Sequence, residues 1–368
     1  MFPEVKKNFG FGCMRLPTNK LGAINNKELC KMVDAFMGAG FNYFDTARGY
    51  MLMRSERAIK RSLTSRYKRE DYVLTDKLSG GFFKKQEDIR PLFAKQLKAC
   101  GVEYFDFYLM HAQDAKVYEK FKACKAYETA FELKKEGKIK HVGLSFHDKS
   151  EVLEKILTEY PEIEVVQIQF NYLDYDDPSV EGKKCYDVCR KFNKPIIVME
   201  PVKGGSLVRL PDDAKKVFDD LGGGSYASYA IRFASSFEGI FMVLSGMGNM
   251  QMMNDNLSYM KEFEPISSLE QEAIDKVKAI CRKQNAIQCT GCKYCIDGCP
   301  KHIPIPDLFA CLNDKRANNT FNSSYYYSIH AKRGKASDCI KCGKCEDACP
   351  QHLEIRKLLD EVKKEFGK

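Results

Sequence analysis

A chain of 368 residues exceeds the usual size of one domain, and 44% hydrophobic with 30% charged residues suits a water-soluble fold with a sizeable core. No apolar run approaches the roughly 18 residues of a membrane span, and the opening MFPEVKKNFGFGCMRLP lacks the apolar segment of a signal peptide, so a cytoplasmic location without a membrane partner is expected. The formal charge of +9 counts cysteine as neutral and is spread through Lys/Glu mixtures such as KKEGKIK, which points to a solvated surface and no nucleic-acid partner.

In chain order, residues 10 to about 262 alternate short β-rich runs with helix-length amphipathic stretches. The strand candidates are FGCMR, FNYFDT, YVLTDKL, FDFYLMH, KHVGLSF, VVQIQF, KPIIVME and IFMVLSG, each rich in the residues of buried strands. Helical patterns fill the intervals: ELCKMVDAFMGAG ends at its glycines, and CYDVCRKFNK is another. Eight such repeats predict an α/β fold, a closed (β/α)8 TIM barrel. A doubly wound sheet is the competitor, but GFGCMR lacks the third glycine of GxGxxG. KGGSLVRLPDDAKKVFDDLGGGSYAS (203–228) is a long excursion after the seventh strand, expected to shape a pocket. SSLEQEAIDKVKAICRKQ (267–284) reads as a helix leading out of the barrel. The expected division is a barrel over 1–265, a connecting helix over 266–285 and a smaller cysteine-rich domain over 286–368.

There are 16 cysteines. Cys13, Cys30, Cys100, Cys124, Cys185, Cys189, Cys281 and Cys311 are scattered, and most are expected to be buried reduced thiols. The others repeat one spacing, C-x2-C-x2-C-x3-C-P, as Cys289, Cys292, Cys295, Cys299 and then Cys339, Cys342, Cys345, Cys349. Thiolates are soft ligands suited to iron–sulfur clusters. Zinc competes, though its sites favour paired CxxC units at longer separation, often with histidine. The run resembles that of bacterial two-cluster ferredoxins. The resemblance implies a ferredoxin-like domain with two [4Fe-4S] clusters, one on Cys289, Cys292, Cys295 and Cys349, the other on Cys339, Cys342, Cys345 and Cys299. Clusters of about −2 each would bring the net charge to about +5. The insertion at 301–338 carries Tyr325, Tyr326 and Tyr327, for which simple packing is expected.

FDTARGY, VLTDKL and YLMHA sit at the C-terminal ends of predicted strands, the edge where barrel enzymes keep catalytic groups. They supply Asp45, Tyr50, Lys77 and His111. Reducing a carbonyl needs a hydride on carbon and a proton on oxygen. A tyrosine of pKa about 10 is a sluggish donor near neutrality. An adjacent ammonium is expected to lower that pKa, a carboxylate to hold the ammonium, and a neutral imidazole to orient the carbonyl.

These segments resemble the aldo-keto reductases, which carry D-T-A-x-x-Y, a lysine closing the third strand and a histidine closing the fourth. By that resemblance Tyr50 is the general acid/base, Lys77 tunes it, Asp45 pairs with Lys77 and His111 positions a small carbonyl substrate. The similarity covers about residues 8 to 262. It also implies NAD(P)H stacked at the barrel mouth. GLSFHD resembles the family's turn that places Ser145, with His147 near it, on the carboxamide. VVQIQFNYL gives Gln167 as a second amide contact. EPVKGGSL, with Pro201 and Gly204, resembles the pyrophosphate clamp, and SGMGNMQMMNDNL, with Gly246 and Asn256, the adenosine end. Where phosphate-specific members place cations, this chain has Gly246 and Met252, which favours NADH slightly. The absence of tryptophan departs from many members' substrate pockets.

Clusters carry single electrons, whereas nicotinamide passes hydride. A flavin in the barrel or on a partner could reconcile them. Alternatively, an external ferredoxin feeds the clusters, or the cysteine domain is structural. The expected function is therefore carbonyl reduction, or alcohol oxidation, coupled to one-electron transfer with a ferredoxin or flavoprotein carrier. The competing reading is an electron-transfer protein whose barrel is a scaffold.

Overall fold

The structure, a computed structural model, describes residues 2–178, 180–283, 286–318 and 321–367. The chain divides into two compact units, Met1–Pro201 with Ala227–Ile266, and Val202–Tyr226 with Ser267–Lys368. Among the described residues no helix is long and apolar enough to cross a membrane.

The first unit is a closed barrel of eight parallel strands in sequence order. They are β1 (Phe9–Gly12), β2 (Tyr43–Asp45), β3 (Val73–Leu78), β4 (Phe105–Gln113), β5 (Ile139–Phe146), β6 (Val165–Gln169), β7 (Ile196–Met199) and β8 (Ile240–Ser245). β1 lies two residues earlier than FGCMR suggests, because the chain turns at Cys13, whose N–H donates to the Asp45 carbonyl at 2.8 Å. The first helix, Asn26–Gly38, starts where the Asn25 side chain accepts from the Glu28 N–H.

Alternation along the strands sends every second side chain inward. Tyr43, Val73, Phe107, Leu109, Val165, Ile197, Met242 and Leu244 form the apolar filling. Phe2 and Val5 pack against it, with the Phe2 ring edge-on to Phe107 at 4.9 Å. Space inside is tight enough to require glycine: a Cβ on Gly143 would lie 2.4 Å from Leu109 and 2.5 Å from Val165. One layer toward the C-terminal ends of the strands the filling turns polar, with Asp45, Lys77, Ser145 and Gln167 all buried. A charged layer inside a barrel needs partners, so this layer is where chemistry is to be sought.

The second unit has its own core around Ile303, Leu308, Phe309, Leu312, Leu359 and Val362, with the third cysteine of each motif, Cys295 and Cys345, inside it. Its helices include Ser268–Lys283, Ile305–Asn318, Phe321–His330 and Ile355–Phe366. The 203–228 excursion, read from sequence as part of the barrel, falls mostly here: its helix Asp212–Asp219 packs against Ser268–Lys283. Residues 284 and 285, at the end of the expected connecting helix, lie outside the described residues. Of the three insertion tyrosines, Tyr327 is buried and stacks on Phe366 at 4.4 Å, whereas Tyr325 and Tyr326 are exposed. Six of the eight scattered cysteines are buried; Cys30 and Cys281 are partly exposed.

Candidate active site and cysteine sites

Asp45 ends β2, Lys77 is the penultimate residue of β3, and His111 lies near the end of β4. Tyr50 opens the short turn Tyr50–Met53 that follows β2. This turn winds left-handed, with φ of 52°, 56° and 61° at Met51, Leu52 and Met53. Such backbone costs about 1–2 kcal/mol per residue and persists only where neighbours hold it. Arg54 does so, its Nε donating to the Met51 carbonyl at 2.9 Å. On the other side of Tyr50, Arg48 pairs with buried Glu56 at 2.5 Å.

The Lys77 side chain is fully buried and makes three contacts: Asp45 Oδ1 at 2.5 Å, the Thr46 carbonyl at 2.9 Å and the Tyr50 hydroxyl at 3.3 Å. Removing one partner of such a pair would cost about 3–5 kcal/mol. His111 meets the Tyr50 ring edge-on at 5.8 Å, and its Nδ1 hydrogen-bonds the Ser79 hydroxyl at 2.6 Å. The β4–β5 register slips between Met110 and Gln113, with Ala112 at φ 51°, and this bulge sets where His111 points. Asp45, Tyr50, Lys77 and His111 thus meet at the C-terminal rim.

Burial pushes the Asp45 carboxyl up, opposed first by Lys77 and then by the Gln167 amide. The expectation of an acidified phenol is not met. Burial, then Asp45 and Glu200, push the Tyr50 hydroxyl well above 10, and Arg15 pulls weakly the other way. The physical reason is burial: desolvating a phenolate costs more than the Lys77 ammonium, 3.3 Å away and held by Asp45, returns. Burial, Lys77 and His147 all hold His111 well below 6.5, so its imidazole is neutral. A protonated phenol beside a neutral imidazole can donate a proton to an oxygen placed between them.

Ser145 and Gln167 are register partners on β5 and β6, buried in the same polar layer. His147 lies just past β5, its N–H donating to the Gln113 carbonyl at 2.9 Å. Pro201 ends the first stretch of the barrel unit. Gly204 belongs to the second unit, where it presses on Thr290: a Cβ there would sit 1.9 Å from that carbonyl oxygen. Gly246 follows β8, with the Arg15 side chain against it. Both halves of the Asn256 amide are engaged, donating to Ser245 Oγ at 2.7 Å and accepting from the Tyr259 hydroxyl at 2.6 Å.

Ser79, Arg15 and Glu200 escaped the sequence reading. Ser79 could have been found, since it lies two residues after Lys77 and on the same side of the chain. Arg15 and Glu200 pair at 3.5 Å, and Glu200 sits just past β7 at φ 55° with Oε2 buried and unpartnered among the described residues. A charge ending the apolar run KPIIVME was the available signal.

In the second unit, burial first, and then the nearby Cys292, Cys289, Cys349 and Cys345, push the Cys295 thiol up. Cys299, Cys339, Cys342 and Cys345 line one cavity of about 320 Å³, open mouth included. The second group joins three cysteines of the second motif to Cys299 of the first, whereas Cys295 has near it two cysteines of its own motif and both Cys345 and Cys349 of the other. Among the described residues no three ligand-type side chains gather tightly enough to grip a single metal ion. All-sulfur donors are the set that suits an iron–sulfur cluster.

Residues 8–279 match the model of the aldo/keto reductase family, and residues 288–353 match a 4Fe-4S dicluster domain. The chain is 26% identical over 202 residues to an NADH-specific methylglyoxal reductase of Escherichia coli, covering 50% of this chain and 59% of that one. It is 28% identical over 217 residues to an aldo-keto reductase of Strobilurus tenacellus, covering 55% and 61%. It therefore spans about three-fifths of the length of these relatives. Among solved structures, an aldo-keto reductase from Klebsiella pneumoniae in complex with NADPH superposes with a TM-score of 0.59 at 16% identity, covering 74% of this chain and 95% of that one. With a family match over most of its length and a complete barrel, this chain belongs to the aldo/keto reductase family and carries a 4Fe-4S dicluster domain after the barrel.

Proposed function

We propose that the barrel reduces an aldehyde or ketone, or oxidises the matching alcohol, with a nicotinamide cofactor, and that the second unit links this chemistry to one-electron carriers. The observation that carries the reading is the buried Asp45–Lys77–Tyr50 chain meeting His111 at one rim. Nicotinamide, when bound, supplies the hydride; Ser145, His147 and Gln167 would hold its carboxamide. The Tyr50 hydroxyl gives its proton to the carbonyl oxygen. Lys77, 3.3 Å away and fixed by Asp45, steadies the phenolate left behind until solvent returns the proton. The neutral His111 ring orients the carbonyl, and Ser79 fixes that ring. Pro201 is assigned to the pyrophosphate end and Gly246 and Asn256 to the adenosine end. For Asn256 this requires exchanging its present partners. Gly246 and Met252 offer a 2′-phosphate no cation, which favours NADH; the relative in Escherichia coli is named NADH-specific.

Two [4Fe-4S] clusters, when bound, pass single electrons. Cys289, Cys292, Cys295 and Cys349 would hold one, and Cys339, Cys342, Cys345 and Cys299 the other. A flavin, on the barrel or on a partner, would divide the hydride's two electrons between them. The test is anaerobic: the purified protein is mixed with NADH and a panel of aldehydes and ketones while nicotinamide and cluster absorbances are followed together. Carbonyl-dependent NADH loss supports the reading. NADH stable against every carbonyl, with clusters that exchange electrons normally, would turn the barrel into a scaffold.

A further inference from the structure

The two cysteine motifs are near repeats, CTGCKYCIDGCP and CIKCGKCEDACP. Each forms a one-turn helix, Tyr294–Asp297 and Lys344–Asp347, and each buries its third cysteine to the same 7% exposure. Equivalent turns would be expected to present equally to solvent. They do not. In the first motif Thr290 is 3% exposed and lies beneath Gly204 of the 202–226 segment, whose backbone comes so close that no side chain fits between. The equivalent residue of the second motif, Ile340, is 57% exposed, and Cys342 beside it is exposed too.

Around that turn unpaired basic residues outnumber unpaired acids. Lys301 and Arg356 line the cavity of Cys299, Cys339, Cys342 and Cys345. Gly334 packs on the backbone of residues 301–303, a Cβ there meeting Ile303 and Lys301 at 3.0 Å, so the chain that continues into Lys335 runs against the same wall. Of the nearby acids, Glu346 pairs with Arg356 at 2.6 Å and Asp360 with Lys341 at 3.1 Å; Asp338, which accepts the Lys335 backbone N–H at 2.8 Å, and exposed Asp347 form no ion pair among the described residues and keep their charge. Lys301, Lys332, Lys335 and Lys344 form no ion pair among the described residues. An exposed apolar residue in a segment with more unpaired lysines than unpaired acids is the make-up of a small, electrostatically steered interface.

We propose that the Ile340–Lys341–Cys342 turn and its lysine rim are the port where a small acidic one-electron carrier protein docks, exchanging electrons with the cluster on Cys339, Cys342, Cys345 and Cys299. This rests on the cluster reading above. One electron leaves the reduced carrier, which is oxidised, and reduces one cluster; no bond or proton moves. The covered first motif takes no part in docking.

The experiment uses the full chain with its clusters and an acidic plant-type [2Fe-2S] ferredoxin as probe, measuring both binding by calorimetry and cluster reduction by stopped flow. At low salt, K335E/K344E should weaken binding and slow reduction by about tenfold or more. Lys293→Glu, a single reversal beside the first motif, should change neither, whereas Lys335→Glu or Lys344→Glu alone should each weaken binding. About 0.5 M salt should abolish the difference. The EPR spectrum after dithionite reduction should be the same in all of these proteins. An intact spectrum with binding indifferent to K335E/K344E, or weakened equally by Lys293→Glu, overturns the port alone. No cluster signal in the unaltered chain overturns the cluster reading on which it stands.

Discussion

A phenol held far above its ordinary pKa keeps its proton, and that sets how the rate depends on pH. In carbonyl reduction Tyr50 must be protonated, so activity should not fall on its account until pH passes the raised value. The Glu200 carboxylate is one of the groups that raise it, after burial and Asp45. Glu200→Gln removes that negative charge, lowers the phenol's pKa and moves the alkaline limb of the kcat/KM profile to lower pH. An unmoved limb would take Glu200 out of the site's electrostatics. The types of the four rim residues were legible because each follows an apolar strand. Their electrostatic balance was not, because Asp45 meets Lys77 only once β2 and β3 pair, and spacing carries no information on the burial that outweighs the ammonium.

Seven of the eight strands could be placed from their apolar runs, since a barrel strand buried on both faces needs continuous Val, Ile, Leu or aromatic residues. β1 was displaced because FGFG offers only two side chains, and its glycines are there for lack of room inside the barrel. The same crowding makes Gly143 a sensitive position. Gly143→Ala puts a methyl within 2.5 Å of Val165 and should destabilise by about 1–3 kcal/mol, read as a lower Tm with the barrel's circular dichroism retained. No change in Tm would mean that β5 and β6 can part. The left-handed turn at Met51–Met53 had no sequence signal, since three bulky residues do not advertise φ above zero.

For the whole molecule, the repeated C-x2-C-x2-C-x3-C-P made the second unit legible, but not its asymmetry. The sequence assigned 203–228 to the barrel because it follows β7, whereas its folded contacts place most of it with the cysteine unit. Crossed ligation makes a sharp prediction. Cys299→Ser should damage the cluster of the second motif and Cys349→Ser that of the first, each leaving the other's EPR signal; loss of the signal from the mutated motif itself would reverse the pairing. The second-motif site opens to solvent through its cavity and exposed Cys342, so it should also be the first lost in air.

Tyr50→Phe deletes the one oxygen from which the proton is proposed to come. Under anaerobic conditions with a saturating carbonyl substrate, kcat should fall by about 10²–10⁴ while NADH still binds, because proton donation by a positioned side chain is worth that much. A variant that turns over within about twofold of the unaltered protein would contradict the account, since the proton would then come from elsewhere.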